Sequence, residues 1–286
     1  MTLSFGQRLA GVFQTSGRLC VGIDPHSYLL GEWDLPDTAA GVRDFGLRVV
    51  EAAHSRAGIV KPQVAFYERH GSAGYAALEH VLAAARDAGL LVIADAKRGD
   101  VGTSVEAYGQ AWLTPGGPLE ADAMTISAYQ GTGSITAPRD LALAGGKGLF
   151  VLAATSNPEA AAVQTACLRS ADDSAAASGK SVAASIVSDV QDWNRGADTL
   201  GSVGVVIGAT VDMGAYGIEA SSLSSTPILA PGFGHQGARL GDVTTLFGAA
   251  SAGVIVSSSR AVLGAGPKGI AAAIVAQNTE IAEAFA

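Results

Sequence analysis

Cysteine is scarce in this chain: Cys20 and Cys167 are the only two in 286 residues, far apart and without Cys-x-x-Cys pairing. Neither a disulfide framework nor a thiolate zinc site fits that spacing, which leaves two buried or inert thiols in a reducing compartment. Charge is sparse as well, at 15% of residues, and the balance of 18 basic against 26 acidic residues gives −8. Such a balance argues against a nucleic-acid footprint or adhesion to an anionic membrane. No stretch reaches the roughly 18 apolar residues of a membrane span, and the first residues lack the basic and long apolar regions of a secretory signal, so a cytoplasmic protein is expected. The five histidines show no metal-ligand spacing, and His54, His70 and His80 fall on or beside helical segments expected at the surface. A Gly-x-Ser-x-Gly elbow, a Walker loop and a Rossmann fingerprint are all missing. The chemistry expected is therefore that of Asp and Lys, with neither metal nor organic cofactor.

What the chain does have is apolar bulk, 48% hydrophobic residues with 37 glycines, as suits a large core with close helix-on-sheet packing. Eight short runs rich in Val and Ile recur along it, at 18–24, 57–62, 90–95, 121–127, 148–156, 203–210, 227–232 and 253–259. They are continuous rather than alternating, as strands buried on both faces of a parallel sheet should be. Between them lie amphipathic segments: 38–53 carries Val42, Phe45, Val49 and Ala52 on one stripe, and 72–88 carries Tyr75, Leu78, Leu82 and Ala85. A last helix is expected from Gly266-Pro267, with Ile270, Ile274, Ile281 and Phe285 on its apolar side. Eight strands alternating with helices predict an α/β fold of the (β/α)8 TIM-barrel type, one domain spanning 1–286, with an open doubly wound sheet as the alternative. Two stretches exceed a minimal barrel. Residues 25–37 read as a loop, and 157–180 as a small, polar segment that suits either a lid or a surface insertion.

In a barrel of this kind the active site gathers where the strands end at their C-termini, so the residues closing each run are the candidates. They are Asp24, Lys61, Asp95 with Lys97, Thr155 with Ser156, and Arg260. The third run ends in Asp95-Ala96-Lys97-Arg98-Gly99-Asp100, which places Asp95 and Lys97 on one strand face and Asp100 in the loop beyond. Burying an ammonium between carboxylates costs several kcal/mol per ion unless the geometry is good, so the cluster reads either as a salt-bridged strand end or as a reaction centre. After the seventh strand comes Gly232-Phe233-Gly234-His235-Gln236-Gly237, and Ser259-Arg260 closes the eighth. Glycine backbone and an arginine fork there suit a phosphate group, the alternative being a tight turn beside an exposed Arg.

Taken together, Asp95-x-Lys97-x-x-Asp100, Lys61 and the glycine-rich loop resemble the orotidine 5′-phosphate decarboxylase family, in wording close to its longer bacterial subgroup. The resemblance follows the chain from strand one to strand eight. It implies cofactor-free loss of CO2 from orotidine 5′-phosphate, the last step of pyrimidine nucleotide synthesis. It also implies a catalytic set of Lys61, Asp95, Lys97 and Asp100, in which Lys97 protonates the C6 carbanion. By the same resemblance Asp24 binds the ribose, Ser156 the pyrimidine, and Gln236 and Arg260 the phosphate. Asp100, with Ser104 in place of the family's Thr, is expected to reach the neighbouring subunit's site in a homodimer. Two departures stand out: Ser259 precedes Arg260 where the family often has Gly, and no phosphate-gripping Tyr follows Gln236. Metal-dependent enediolate chemistry in a related sugar-phosphate barrel, or a silent phosphate-binding barrel, are the alternatives.

Overall fold

A computed structural model describes residues 3–168, 179–234 and 237–286. The apolar runs become eight strands: β1 Leu19–Ile23, β2 Ile59–Pro62, β3 Leu91–Arg98, β4 Ala123–Ile126, β5 Gly148–Ala154, β6 Val203–Ile207, β7 Ile228–Pro231 and β8 Val254–Ser258. All pair in parallel in sequence order, and β1 closes on β8 through the pairs Leu19↔Val256, Cys20↔Ser257 and Val21↔Ser258. The closed (β/α)8 barrel expected from the sequence is present, and the open sheet is not. Buried on both faces, these strands need apolar side chains at every position, which is why they read as continuous runs. All five residues of β1 and of β6 are buried.

Side chains facing inward form one core and those facing the helices another. The inner core stacks Cys20, Ile59, Ile93, Ala123, Phe150, Leu229 and Ile255, all nearly inaccessible to solvent. Its lower end is plugged by an additional helix, Phe5–Thr15, which begins with a capping box between Ser4 and Gln7. Phe5 meets Phe150 edge-on, with ring centroids 5.8 Å apart. Gly148 and Gly204 make room for this pair, since a Cβ at either would come within 2.5 Å of a phenyl ring. Charge also closes this end: Arg8 bonds Asp122 at 2.5 Å, and Lys147 bonds Glu120 at 2.6 Å. Phe150→Ala is expected to cost about 3–5 kcal/mol, seen as a lower urea midpoint at unchanged slope. A loss under about 1 kcal/mol would mean the plug does not hold the inner core.

The outer core lies under the helices. Ala39–Ala53 buries Val42, Phe45, Val49 and Ala52, and Gly71–Asp87 buries Leu78, Leu82 and Ala85, as their periodicity predicts. Gly266–Ala284 buries Ile270, Ile274 and Ile281. Residues 25–37 are more ordered than a loop: Ser27–Glu32 is helical, and Trp33 is buried with its indole N–H donating to the Leu263 carbonyl at 3.2 Å. An aromatic anchor inside an apparent loop paid out its burial by fixing the chain beside the mouth of the barrel. In the 157–180 stretch, Pro158–Gln164 is helical, and the polar segment expected to be a lid or insertion lies mostly outside the described residues. Of the two free thiols, Cys20 is buried and Cys167 is exposed.

Candidate active site

The C-terminal ends of the strands converge on a cavity lined by Asp24 after β1, Lys61 and Gln63 at β2, Asp95 and Lys97 on β3, and Thr125 on β4. Thr155, Gly232, Phe233, Ser257, Ser259 and Arg260 complete the rim, while Leu152, Val206 and Leu229 form its apolar floor. The fold thus gathers Asp24, Lys61, Asp95, Lys97 and Arg260, which the sequence had marked separately.

Asp95 is the centre of this arrangement. Its Oδ2 accepts from Lys61 Nζ and from Gln63 Nε2, both at 2.9 Å. Its Oδ1 accepts from Lys97 Nζ at 2.7 Å and from Thr125 Oγ1 at 2.8 Å. Four donors use the carboxylate's full accepting capacity. Burial pushes the Asp95 carboxyl up, but the charges of Lys61 and Lys97 and their hydrogen bonds outweigh it and hold the group well below the usual carboxylate range. Lys61 shows the converse: burial alone would lower its pKa, yet Asp95 and then Asp24 keep it well above the ordinary lysine value. Both groups stay ionised, in the form a paired buried charge requires. Beneath them burial pushes the Cys20 thiol up to about 12 despite the nearby Lys61 charge, so it remains an unreactive thiol.

The two lysines differ in exposure. The Lys61 side chain is 9% exposed and that of Lys97 is 47% exposed, so Lys97 is the ammonium that meets whatever enters the cavity. Backbone irregularity aims it there. Between Ala94 and Arg98 on β3 the chain spans four residues against two on β4, and within this bulge Lys97 takes a positive φ of 47°. A left-handed lysine stores strain that surrounding contacts must hold, a feature concentrated at functional sites. Simple alternation along a regular strand, the basis for placing Asp95 and Lys97 on one face, is therefore replaced by a bulge that achieves the same convergence.

Two oxygens are left open. Asp24 Oδ1 and Ser259 Oγ are buried without a hydrogen-bond partner among the described residues, and both residues line the cavity. Gly22 lets these ends of β1 and β8 close together, since a Cβ there would stand 2.7 Å from that of Ser259.

Other expected residues stand elsewhere in the single chain. Asp100 does not line the cavity, and its carboxylate accepts from the Val101 amide at 2.8 Å. Ser104 is exposed on the helix Gly102–Leu113, and Ser156 is exposed one residue beyond the cavity-lining Thr155. Gln236 lies outside the described residues. Gln63 and Thr125 were not anticipated. The signal for Gln63 was its position two residues after Lys61, hence on the same strand face, and for Thr125 its being the only hydroxyl in the Ala123–Ile126 strand. Next to the motif lysine, Arg98 turns toward Glu68 in an ion pair and donates to Tyr75 Oη at 3.0 Å, which ties the end of β3 to the elements after β2.

The model of the orotidine 5′-phosphate decarboxylase / HUMPS family matches residues 17–274 of this chain. An orotidine 5′-phosphate decarboxylase of Salinispora tropica is 48% identical, over 94% of this chain and 92% of its own. Another from Streptomyces coelicolor is 46% identical, over 92% and 91% respectively. Among solved structures, one from Streptomyces avermitilis described as a candidate orotidine 5′-phosphate decarboxylase superposes with a TM-score of 0.91 at 43% identity, covering 99% of this chain and 96% of that one. The Leishmania donovani OMP decarboxylase superposes at 0.74 with 28% identity, covering 99% of this chain and 100% of its own. By the extent of these matches, the chain belongs to the orotidine 5′-phosphate decarboxylase / HUMPS family.

Proposed function

We propose that this chain, working as one barrel domain, removes the pyrimidine carboxylate of orotidine 5′-phosphate as CO2 and releases uridine 5′-phosphate. The observation that carries the mechanism is the Lys97 ammonium, paired to the buried Asp95 carboxylate at 2.7 Å yet open to the cavity. Breaking the bond from C6 to the carboxylate leaves an electron pair in an orbital that the ring does not delocalise. A fixed ammonium beside C6 stabilises that pair as it develops and then gives it a proton, which solvent restores to the amine. Because the ion pairs are preformed, little reorganisation is needed when the charge appears.

The remaining roles follow the family resemblance and the polar groups of the rim. Asp24 accepts hydrogen bonds from the ribose, a role consistent with its unpartnered Oδ1. Ser156 binds the pyrimidine beside Thr155, and Arg260 with Gln236 grips the phosphate, far enough from C6 to contribute remote binding energy. Asp100 and Ser104 serve the site of a second copy in a homodimer. Support for this comes from the absence of Asp100 from its own cavity and from the exposed Val101 and Tyr108 on the same segment, 53% and 39% accessible. No helix among the described residues is long and apolar enough to cross a membrane, and we place the reaction in the cytoplasm.

The purified chain is expected to consume orotidine 5′-phosphate, followed as loss of its ultraviolet absorbance, at the same rate with and without excess chelator. Absence of turnover would remove the decarboxylase assignment. Turnover abolished by chelator and restored by a divalent ion would remove the cofactor-free mechanism.

A further inference from the structure

We infer that Thr125 is a positioning residue for the decarboxylation, its single hydroxyl holding the Asp95 carboxylate and the strained backbone of Lys97 at once. The inference rests on the decarboxylase reading and adds to it a residue that acts through the ion pair rather than on substrate.

Thr125 sits on β4 and is 1% exposed. Its Oγ1 lies 2.8 Å from Asp95 Oδ1 and 3.0 Å from the Lys97 amide nitrogen. The proton count fixes which way each bond runs. An ionised carboxylate only accepts and an amide N–H only donates, so the hydroxyl gives its proton to Asp95 and accepts from Lys97. Lys97 Nζ bonds the same Oδ1 at 2.7 Å. A closed ring results, from the Lys97 amide through the Thr125 hydroxyl to Asp95 Oδ1 and back through the Lys97 ammonium.

The ring answers a need created by the bulge. Where β3 carries two residues more than β4, the Lys97 N–H faces no regular ladder acceptor, and a partly buried backbone donor left unmet is costly. Thr125 supplies the acceptor and so stabilises the positive φ that turns the ammonium into the cavity. With the hydroxyl's one proton committed to Asp95, none remains to donate to substrate. Loss of the hydroxyl is therefore expected to impair the chemical step more than binding.

The test is steady-state kinetics of Thr125→Val, nearly isosteric but without the hydroxyl, beside Thr125→Ser, which keeps it, with thermal melts of both. Expected are a kcat lowered about 10- to 100-fold in Thr125→Val, KM and uridine 5′-phosphate affinity within about threefold of wild type, and a kcat within about threefold for Thr125→Ser. A kcat unchanged in Thr125→Val, a defect confined to KM, or a Thr125→Ser as poor as Thr125→Val would each overturn the assignment. So would failure of Thr125→Val to fold while Thr125→Ser is native, since the hydroxyl would then be a requirement of the fold rather than of the chemical step. Wild-type turnover with any of these results sinks this inference and spares the decarboxylase reading, whereas an inactive wild type removes both.

Discussion

Lys97→Ala is expected to lower kcat on orotidine 5′-phosphate by about 10⁴-fold, with uridine 5′-phosphate affinity within about tenfold of wild type. Two contributions vanish together, the preorganised positive charge beside the developing electron pair and the proton donor that quenches it, and each alone is worth about two orders of magnitude or more. Among the described residues, the other lysine of the cavity cannot substitute. The Lys61 side chain is 9% exposed and committed to Asp95 Oδ2, on the opposite oxygen from Lys97. The variant should remain folded, because Asp95 keeps Lys61, Gln63 and Thr125 as partners and the lost side chain was the most exposed of the cluster. The measurement is single-turnover loss of substrate absorbance, with product binding by calorimetry as the control. A variant within tenfold of wild type in kcat would refute the role given to Lys97.

Mixing Lys97→Ala chains with Asp100→Ala chains is expected to restore about a quarter of wild-type activity from two nearly inactive parents. If Asp100 completes its neighbour's site, the mixed dimer holds one site with Lys97 from one chain and Asp100 from the other, and one site lacking both. Random reassortment makes half of the dimers mixed, and half of their sites intact. If Asp100 instead acts within its own chain, every site in every dimer carries one defect. Activity would then stay at the level of the parents. Differently tagged chains, unfolded together and refolded, allow mixed dimers to be purified through both tags and assayed directly, so a failure to exchange is visible separately from a failure to complement. The geometry motivates the test, since Asp100 lies outside the cavity that Lys97 enters and its carboxylate turns to the Val101 amide.

Much of this protein was legible before its fold. The eight strands fall within the eight apolar runs, except that β3 runs on through Lys97 to Arg98, because a strand buried on both faces leaves an unbroken signature in Val, Ile and Ala. Polar residues at the ends of those runs marked the rim for the same reason: nothing in a buried strand calls for Asp24, Lys61 or Asp95 unless something else there needs them. The Phe5–Thr15 plug and the buried Trp33 were less visible, being short apolar patterns whose meaning depends on what they pack against.

What the sequence by itself determined is the number and order of the strands and the chemical types of the groups at their ends, since these follow from local hydrophobic continuity. What only the tertiary structure decided is how those groups share their hydrogen bonds. Gln63, just after β2, and Thr125 on β4 meet on one carboxylate from opposite sides of β3, and the bulge that gives Lys97 its φ of 47° exists only relative to the register of β4. The same holds for the separation of Lys97 from Asp100: three residues apart in the chain, one enters the cavity and the other turns away from it. Such relations are set by pairing between distant segments, and no local pattern encodes them.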